Sequence, residues 1–222
     1  MNQLQLEQLE QQKNTWNKYS SGWRKWDEVL MTAMLPIADS LIDALELNGN
    51  EHVLDVASGT GEPGLSLSTL LPEGRVKGSD LAENMVEIAN LHAQERRITN
   101  YHSQQCDATN MPFEDNTYDH VICRFGIMFF PDIESGLREM TRVLKPGGKY
   151  CISDLRRDMS PLVKWFMKAV TKPKEIRPGL TSSLKAAYTV PELNAILRES
   201  RLQGGTAKQN LMGLVITWQK AG

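Results

Sequence analysis

The chain has three cysteines in 222 residues, Cys106, Cys123 and Cys151, an odd count with no metal-ligand spacing. A disulfide framework is thereby excluded, and since all three fall in apolar, strand-like stretches they read as buried reduced thiols. Histidine is scarce too: His52, His92, His102 and His120 form no H-x-x-x-H or comparable grouping, so no metal site is expected. No apolar run approaches the ~18 residues needed to span a bilayer, which argues against stable membrane insertion. The opening M-N-Q-L-Q-L-E-Q lacks the basic and then apolar order of a secretory leader. A cytoplasmic protein is expected. Neither sign of charge is in excess, with 25 Lys and Arg against 27 Asp and Glu for a net −2. The basic residues are dispersed, which argues against a nucleic-acid partner and for a small molecule. Repeats and low-complexity linkers are missing, and the length suits one domain over residues 1–222.

What is present is organised around Val53 to Gly64, V-L-D-V-A-S-G-T-G-E-P-G. Val53, Leu54 and Val56 make a buried strand with Asp55 inside it, and Ala57-Ser58-Gly59-Thr60-Gly61 follows with almost no side-chain bulk. Pro63 suits the first turn of a helix whose apolar positions are Leu65, Leu67, Leu70 and Leu71. Strand, glycine-rich loop and helix together let a ligand approach the backbone closely. Gly59-x-Gly61-x-x-Gly64 satisfies the dinucleotide fingerprint, and Asp80 stands at about the right spacing for a ribose hydroxyl, so a nicotinamide cofactor fits this pattern. Asp55 favours another ligand. An acid just before the loop is poorly placed for a pyrophosphate but can accept hydrogen bonds from an ammonium group, as in S-adenosylmethionine.

The alternation continues along the chain. Arg75 to Asp80 reads as a second strand, with a helix carrying Met85, Val86, Ile88, Ala89 and Leu91 after it. The third strand ends at Cys106-Asp107-Ala108, the fourth covers His120 to Phe125, and the fifth Lys149 to Leu155. Strands and helices in this order imply a doubly wound α/β domain with a mostly parallel sheet. Upstream, 1–13 reads as a weak helix or a frayed arm. Trp16, Tyr19, Trp23 and Trp26 then recur at steps of three and four along one helical face, as core packing or as ligand contacts. Leu30 to Leu47 continues as a helix interrupted at Pro36 and stopped by Asn48-Gly49-Asn50. Beyond Asp154 come the charged Arg156-Arg157-Asp158, an apolar segment with Val163, Trp165, Phe166, Met167 and Val170, a helix from about Pro191 capped by Thr189, and a last strand from Leu211 to Trp218.

Asp55-x-Ala57-x-Gly59-x-Gly61 resembles the first motif of class I S-adenosylmethionine-dependent methyltransferases, with alanine in place of the first glycine. The wording A-S-G-T-G-E-P-G, M-P-F at Met111 to Phe113 and R-V-L-K-P-G-G is similar to the ubiquinone/menaquinone C-methyltransferase branch (methyltransferase type 11). The resemblance is dense from Trp16 to Leu155 and thin beyond. It implies a Rossmann-like doubly wound sheet of seven strands, mostly parallel, with one antiparallel strand near the C-terminus and N-terminal helices over the cofactor site. It divides the chain into a helical lid (1–47), a cofactor-binding core (48–155) and substrate-side elements with the last strands (156–222). It also implies a cofactor site made of Asp55, Ala57, Ser58, Gly59, Thr60 and Gly61, with Asp80 on the ribose hydroxyls, Leu81 and Met85 flanking the adenine, Asp107 on its amino group and Ala108 against the ring. Arg124 is counted with that site, as are Tyr19 and Trp23 from a lid that orders on the cofactor.

The implied activity is methyl transfer from S-adenosyl-L-methionine to a small organic acceptor by in-line displacement, leaving S-adenosyl-L-homocysteine. Positioning supplies most of such catalysis. If a base takes part, Asp154 and Tyr188 are the candidates. A protein or RNA methyltransferase and a non-methylating S-adenosylmethionine binder are the alternatives, and a monomer or a homodimer is expected.

Overall fold

The computed structural model describes residues 1–171, 177–199, 205–209 and 213–222. Its centre is β1 (His52–Val56), which pairs in parallel with β2 (Arg75–Asp80) on one side and β4 (Tyr118–Arg124) on the other. β3 (Tyr101–Gln105) lies outside β2, and β5 (Leu144–Leu155) outside β4, both parallel. β7 (Gly213–Gln219) runs antiparallel beside β5, and β6 (Thr206–Gln209) antiparallel beside β7. The seven strands stand in the order β3-β2-β1-β4-β5-β7-β6. The order reverses between β1 and β4, and the carboxyl ends of those two strands open the crevice where such sheets take ligands. The expected sheet of seven strands with one reversed near the C-terminus is the one found.

Period-two alternation divides the core between the two sheet faces. Val53 and Ile122 pack with Leu65 and Leu67 of α2 (Gly64–Ser68), with Leu71 just beyond it, and with Ala89 of α3 (Glu83–Glu95). Leu54, Val56, Val121 and Cys123 pack on the other face with Leu137 and Met140 of α4 (Ile133–Val143) and Leu193 of α7 (Val190–Glu199). Each of these fully buried aliphatic side chains contributes about 1.5–3 kcal/mol relative to leaving it in water. Asp55 therefore shares a face with Val53, and Arg124 with Ile122, so the two charges end adjacent strands on the same side.

Several elements depart from expectation. The N-terminal segment is one helix, α1 (Gln3–Asp43), which starts at a capping box on Asn2 and continues through Pro36. Pro36 and Thr32, whose carbonyl loses its partner, both face solvent, so water takes the freed group and the helix survives. α2 is only a single turn and a half, Pro63 caps it from outside, and Leu70 beyond its end is 52% exposed while Leu65, Leu67 and Leu71 are buried. β5 begins at Leu144 rather than Lys149, because Tyr118 pairs with Leu144 before a register shift. Thr189 does cap α7: its hydroxyl accepts from Glu192 N at 3.3 Å and its own N–H donates to the Glu192 carboxylate at 2.9 Å. The last strand pairs with β5 as expected, although Leu211 and Met212 lie outside the described residues. Sequence patterning did not distinguish β6, α5 (Pro161–Val170) or α6 (Arg177–Ala186) as separate elements.

Candidate cofactor and acceptor site

Where β1 ends, the backbone turns through left-handed conformations at Ala57 (φ +56°), Gly59 (+54°) and Gly61 (+111°). That explains why glycine suits the first of these positions, since an L-residue there carries roughly 1–2 kcal/mol of strain. Phe125, closing β4 beside it, is also left-handed at φ +59°, so two strained non-glycine residues flank the crevice. The loop is held by Ser58 N donating to Ser79 O and Gly61 N to Ser58 O, both at 2.9 Å. A Cβ added to Gly59 would meet nothing within 4 Å, so the loop faces open space.

Asp55 lies beneath this loop, 1% exposed. Its Oδ2 accepts from Gly64 N at 3.0 Å, while its buried Oδ1 has no hydrogen-bond partner among the described residues. Burial pushes its carboxyl up to about 8, against the opposing pull of the Arg124 guanidinium and the Gly64 N–H. Arg124 is buried as well; its Nη2 donates to the Glu62 carbonyl at 2.9 Å and lies 3.2 Å from Met31 Sδ. An orphaned carboxylate oxygen and a buried guanidinium on one face fit the ammonium and carboxylate of an amino-acid group.

Asp80, at the end of β2, accepts from Gly59 N and Ala82 N, each at 2.9 Å, so one acid clamps the loop and the turn into α3. The helix cap is Ala82, without a side-chain bond, so capping α3 is not the role of Asp80. Burial raises its carboxyl above the ordinary range, with the backbone N–H groups opposing. Leu81 beside it is half-buried and Met85 buried. Asp107 forms a turn in which its Oδ1 accepts from Thr109 N and Thr109 Oγ1, each at 2.8 Å, and Ala108 packs against the core next to it. Three strand ends thus carry three acids around one opening.

α1 crosses these ends. Asn17 accepts from Asn84 N at 3.0 Å and its carbonyl from Asn84 Nδ2 at 3.2 Å, pinning the helix to the start of α3. The buried Asp27 accepts from Thr60 Oγ1 at 2.7 Å, on the glycine-rich loop itself. Arg96 bridges Asp27 at 3.5 Å and Glu62, and His92 Nδ1 lies 3.0 Å from Thr60 O. Trp16 stands edge-on to Phe129 at 5.1 Å and 6.1 Å from Trp23. Tyr19, by contrast, is 54% exposed. The inward face of the helix is Trp16, Ser20, Trp23 and Asp27; the spacing of the aromatics alone predicts a face with Tyr19 and gives no place to the polar Ser20 and Asp27.

On the β5 side, Asp154 is buried at the strand's carboxyl end, its Oδ2 accepting from Met128 N at 3.2 Å and its Oδ1 from Leu155 N at 2.7 Å. Burial pushes its carboxyl up to about 7. Tyr188 is half-buried nearby, its hydroxyl raised by burial and by the charges of Glu192 and Asp154. An apolar cluster of Met128, Leu155, Met159, Leu184 and Ala187, joined by Phe125 and Phe129, fills the same end.

A family model described as a methyltransferase domain matches residues 47–212. The uncharacterized methyltransferase YcgJ of Bacillus subtilis is 30% identical over 69% of this chain and 61% of its own length. A demethylmenaquinone methyltransferase of Staphylococcus haemolyticus is 38% identical over 54% of this chain and 49% of its own. The chain thus spans about half to three fifths of the length of these relatives. Among solved structures, a candidate S-adenosyl-L-methionine-dependent methyltransferase of Methanococcus maripaludis superposes with a TM-score of 0.75 at 21% identity, covering 93% of this chain and 94% of that one. By its sequence match and its fold, the chain belongs to the class I S-adenosylmethionine-dependent methyltransferases.

Proposed function

We propose that the protein transfers a methyl group from S-adenosyl-L-methionine to a small organic acceptor, and that the buried, unpartnered Oδ1 of Asp55 beneath an open glycine-rich loop is the observation that carries this reading. The cofactor, when bound, supplies a sulfonium methyl group open to in-line attack. Asp55 accepts the cofactor's ammonium and Arg124 neutralises its carboxylate. Asp80, with spare lone pairs on both oxygens, takes the ribose hydroxyls, and Asp107 takes the adenine amino group between Leu81, Met85 and Ala108. Residues 1–47 act as a lid in which Trp16 and Trp23 exclude water above the loop, 48–155 hold the cofactor, and 156–222 line the acceptor side.

An acceptor that loses a proton as it attacks needs a base. Asp154, poised near neutrality at the end of β5 with Tyr188 beside it, suits that role. The apolar cluster at Phe125, Met128 and Phe129 favours an acceptor with an apolar ring, which agrees with the demethylmenaquinone named for some relatives. S-adenosylmethionine and S-adenosylhomocysteine are expected to raise the melting temperature and NAD to leave it unchanged. Stabilisation by NAD alone would sink the reading. A pooled-metabolite screen with radiolabelled cofactor then identifies the acceptor, and label entering only macromolecular fractions would point to a protein or RNA instead.

A further inference from the structure

α5 turns the wrong side outward for an ordinary surface helix. Leu162, Trp165 and Phe166 follow one another at i, i+3 and i+4, one stripe of the helix, and are 72%, 66% and 56% exposed. The opposite side is spoken for, because Val163 and Met167 pack into the apolar cluster with Met128, Phe125 and Phe129. The third side carries Lys164 and Lys168, one turn apart, and Lys168 stands one turn beyond Trp165 at the border of the apolar stripe. Among the described residues neither lysine has an ion-pair partner, and 159–171 holds no acid. The sequence to 177 adds Lys172, Lys174 and Arg177 against Glu175 alone.

We propose that α5 rests on the surface of an anionic lipid bilayer, with Leu162, Trp165 and Phe166 in the boundary between headgroups and acyl chains and Lys164 and Lys168 against lipid phosphates. Leucine, tryptophan and phenylalanine on one side and lysine on the next are the arrangement of helices that lie in a membrane interface. The lysines carry the choice of occupant, since an unopposed basic border complements anionic headgroups. A second copy of this chain fits less well: two aromatic rings at about 150–250 Å² each leave the stripe short of the ~800 Å² per partner of a stable interface. No helix among the described residues is long and apolar enough to cross a membrane, so the contact is one of adsorption. The inner side of α5 abuts the cluster at the acceptor side of the site, which places a bilayer next to that entrance. The proposal holds whatever the acceptor is.

The test is co-sedimentation of the full chain with vesicles of phosphatidylcholine alone and of phosphatidylcholine with phosphatidylglycerol, at low and high salt. Binding is expected to the anionic vesicles, to fall with salt, and to be about tenfold or more weaker in Trp165→Ser with Leu162→Ser and in Lys164→Ala with Lys168→Ala. Leu162, Trp165 and Lys168 are exposed and Lys164 is half-buried without an ion-pair partner among the described residues, so the melting temperature is expected to hold, and Leu35→Ser, an exposed change on α1, is expected to leave binding unchanged. Equal partition onto neutral and anionic vesicles, no partition, or loss of none of it in Trp165→Ser with Leu162→Ser overturns the proposal. So does a lipid-free dimer in velocity sedimentation that Trp165→Ser abolishes, which would assign the face to a second copy.

Discussion

A Cβ placed on Gly126 would lie 2.6 Å from the Ala57 methyl and 2.6 Å from Cys123 Sγ. Gly126, after β4, therefore makes the room that lets alanine occupy a left-handed position in the loop after β1. Gly126→Ala is expected to destabilise the fold by about 1–3 kcal/mol through overpacking. Ala57→Gly in the same background should recover part of that loss, giving a coupling of at least ~0.5 kcal/mol in a double-mutant cycle measured by urea unfolding. Strict additivity would mean that the Cys123 contact alone decides the cost.

Asp80 is expected to matter to the cofactor more than to the fold. Asp80→Ala removes an acceptor for two hydroxyls and should weaken S-adenosylhomocysteine binding by roughly 2–4 kcal/mol by calorimetry. It also frees the N–H groups of Gly59 and Ala82, so some loss of melting temperature accompanies it. Unchanged affinity in a folded variant would confine Asp80 to holding the loop.

The pH dependence follows from Asp55. Its carboxyl is raised to about 8 in the folded protein, so below that pH the group is protonated and must release its proton to face an ammonium. Apparent affinity for S-adenosylhomocysteine is therefore expected to rise with pH, by up to about tenfold per unit, and to level off near pH 8. The same shift works against the fold. A carboxyl raised above its unfolded value costs stability progressively as pH rises from the ordinary carboxylate range toward about 8, and Asp55→Asn should remove both trends. A calorimetric profile in Asp55→Asn as steep as that of the natural chain would assign the proton to another group.

The Thr60 and Asp27 contact makes the lid testable. Thr60→Val deletes the donor to a buried carboxylate, at a cost of about 1–3 kcal/mol. Amide exchange along residues 16–31 should then accelerate, and added S-adenosylhomocysteine should slow it in the natural chain. Equal protection with and without ligand would make α1 a fixed part of the core.

Much of this was legible in the chain itself, and the reason is locality. Val53 to Gly64 declares a strand, a left-handed loop and a helix start within twelve neighbouring residues, Asp80 ends the next strand and Asp107 follows two residues after β3, so short-range chemistry was enough. Asp27 was not legible, because its meaning depends on Thr60, which lies 33 residues away. A charged residue continuing the stripe Trp16, Ser20 and Trp23 was the available signal. The exposure of Tyr19 depends likewise on what packs against α1, and the unbroken helix at Pro36 on the solvent that meets Pro36 and Thr32.

Pro36 also bears on the proposed lid. At 41 residues the helix is about 60 Å long, rooted at one end by Ala38, Leu41 and Ile42 in the core and tied farther out by Asp27 and Asn17. The rung missing from its ladder falls between root and ties, so the proposed lid motion is expected to bend the helix there, where stiffness is lowest. Trp16 lies twenty residues, or about 30 Å, beyond that flexure, so a tilt of about 10° carries its ring through about 5 Å. That stroke is as wide as the Trp16 to Phe129 ring contact it would have to open.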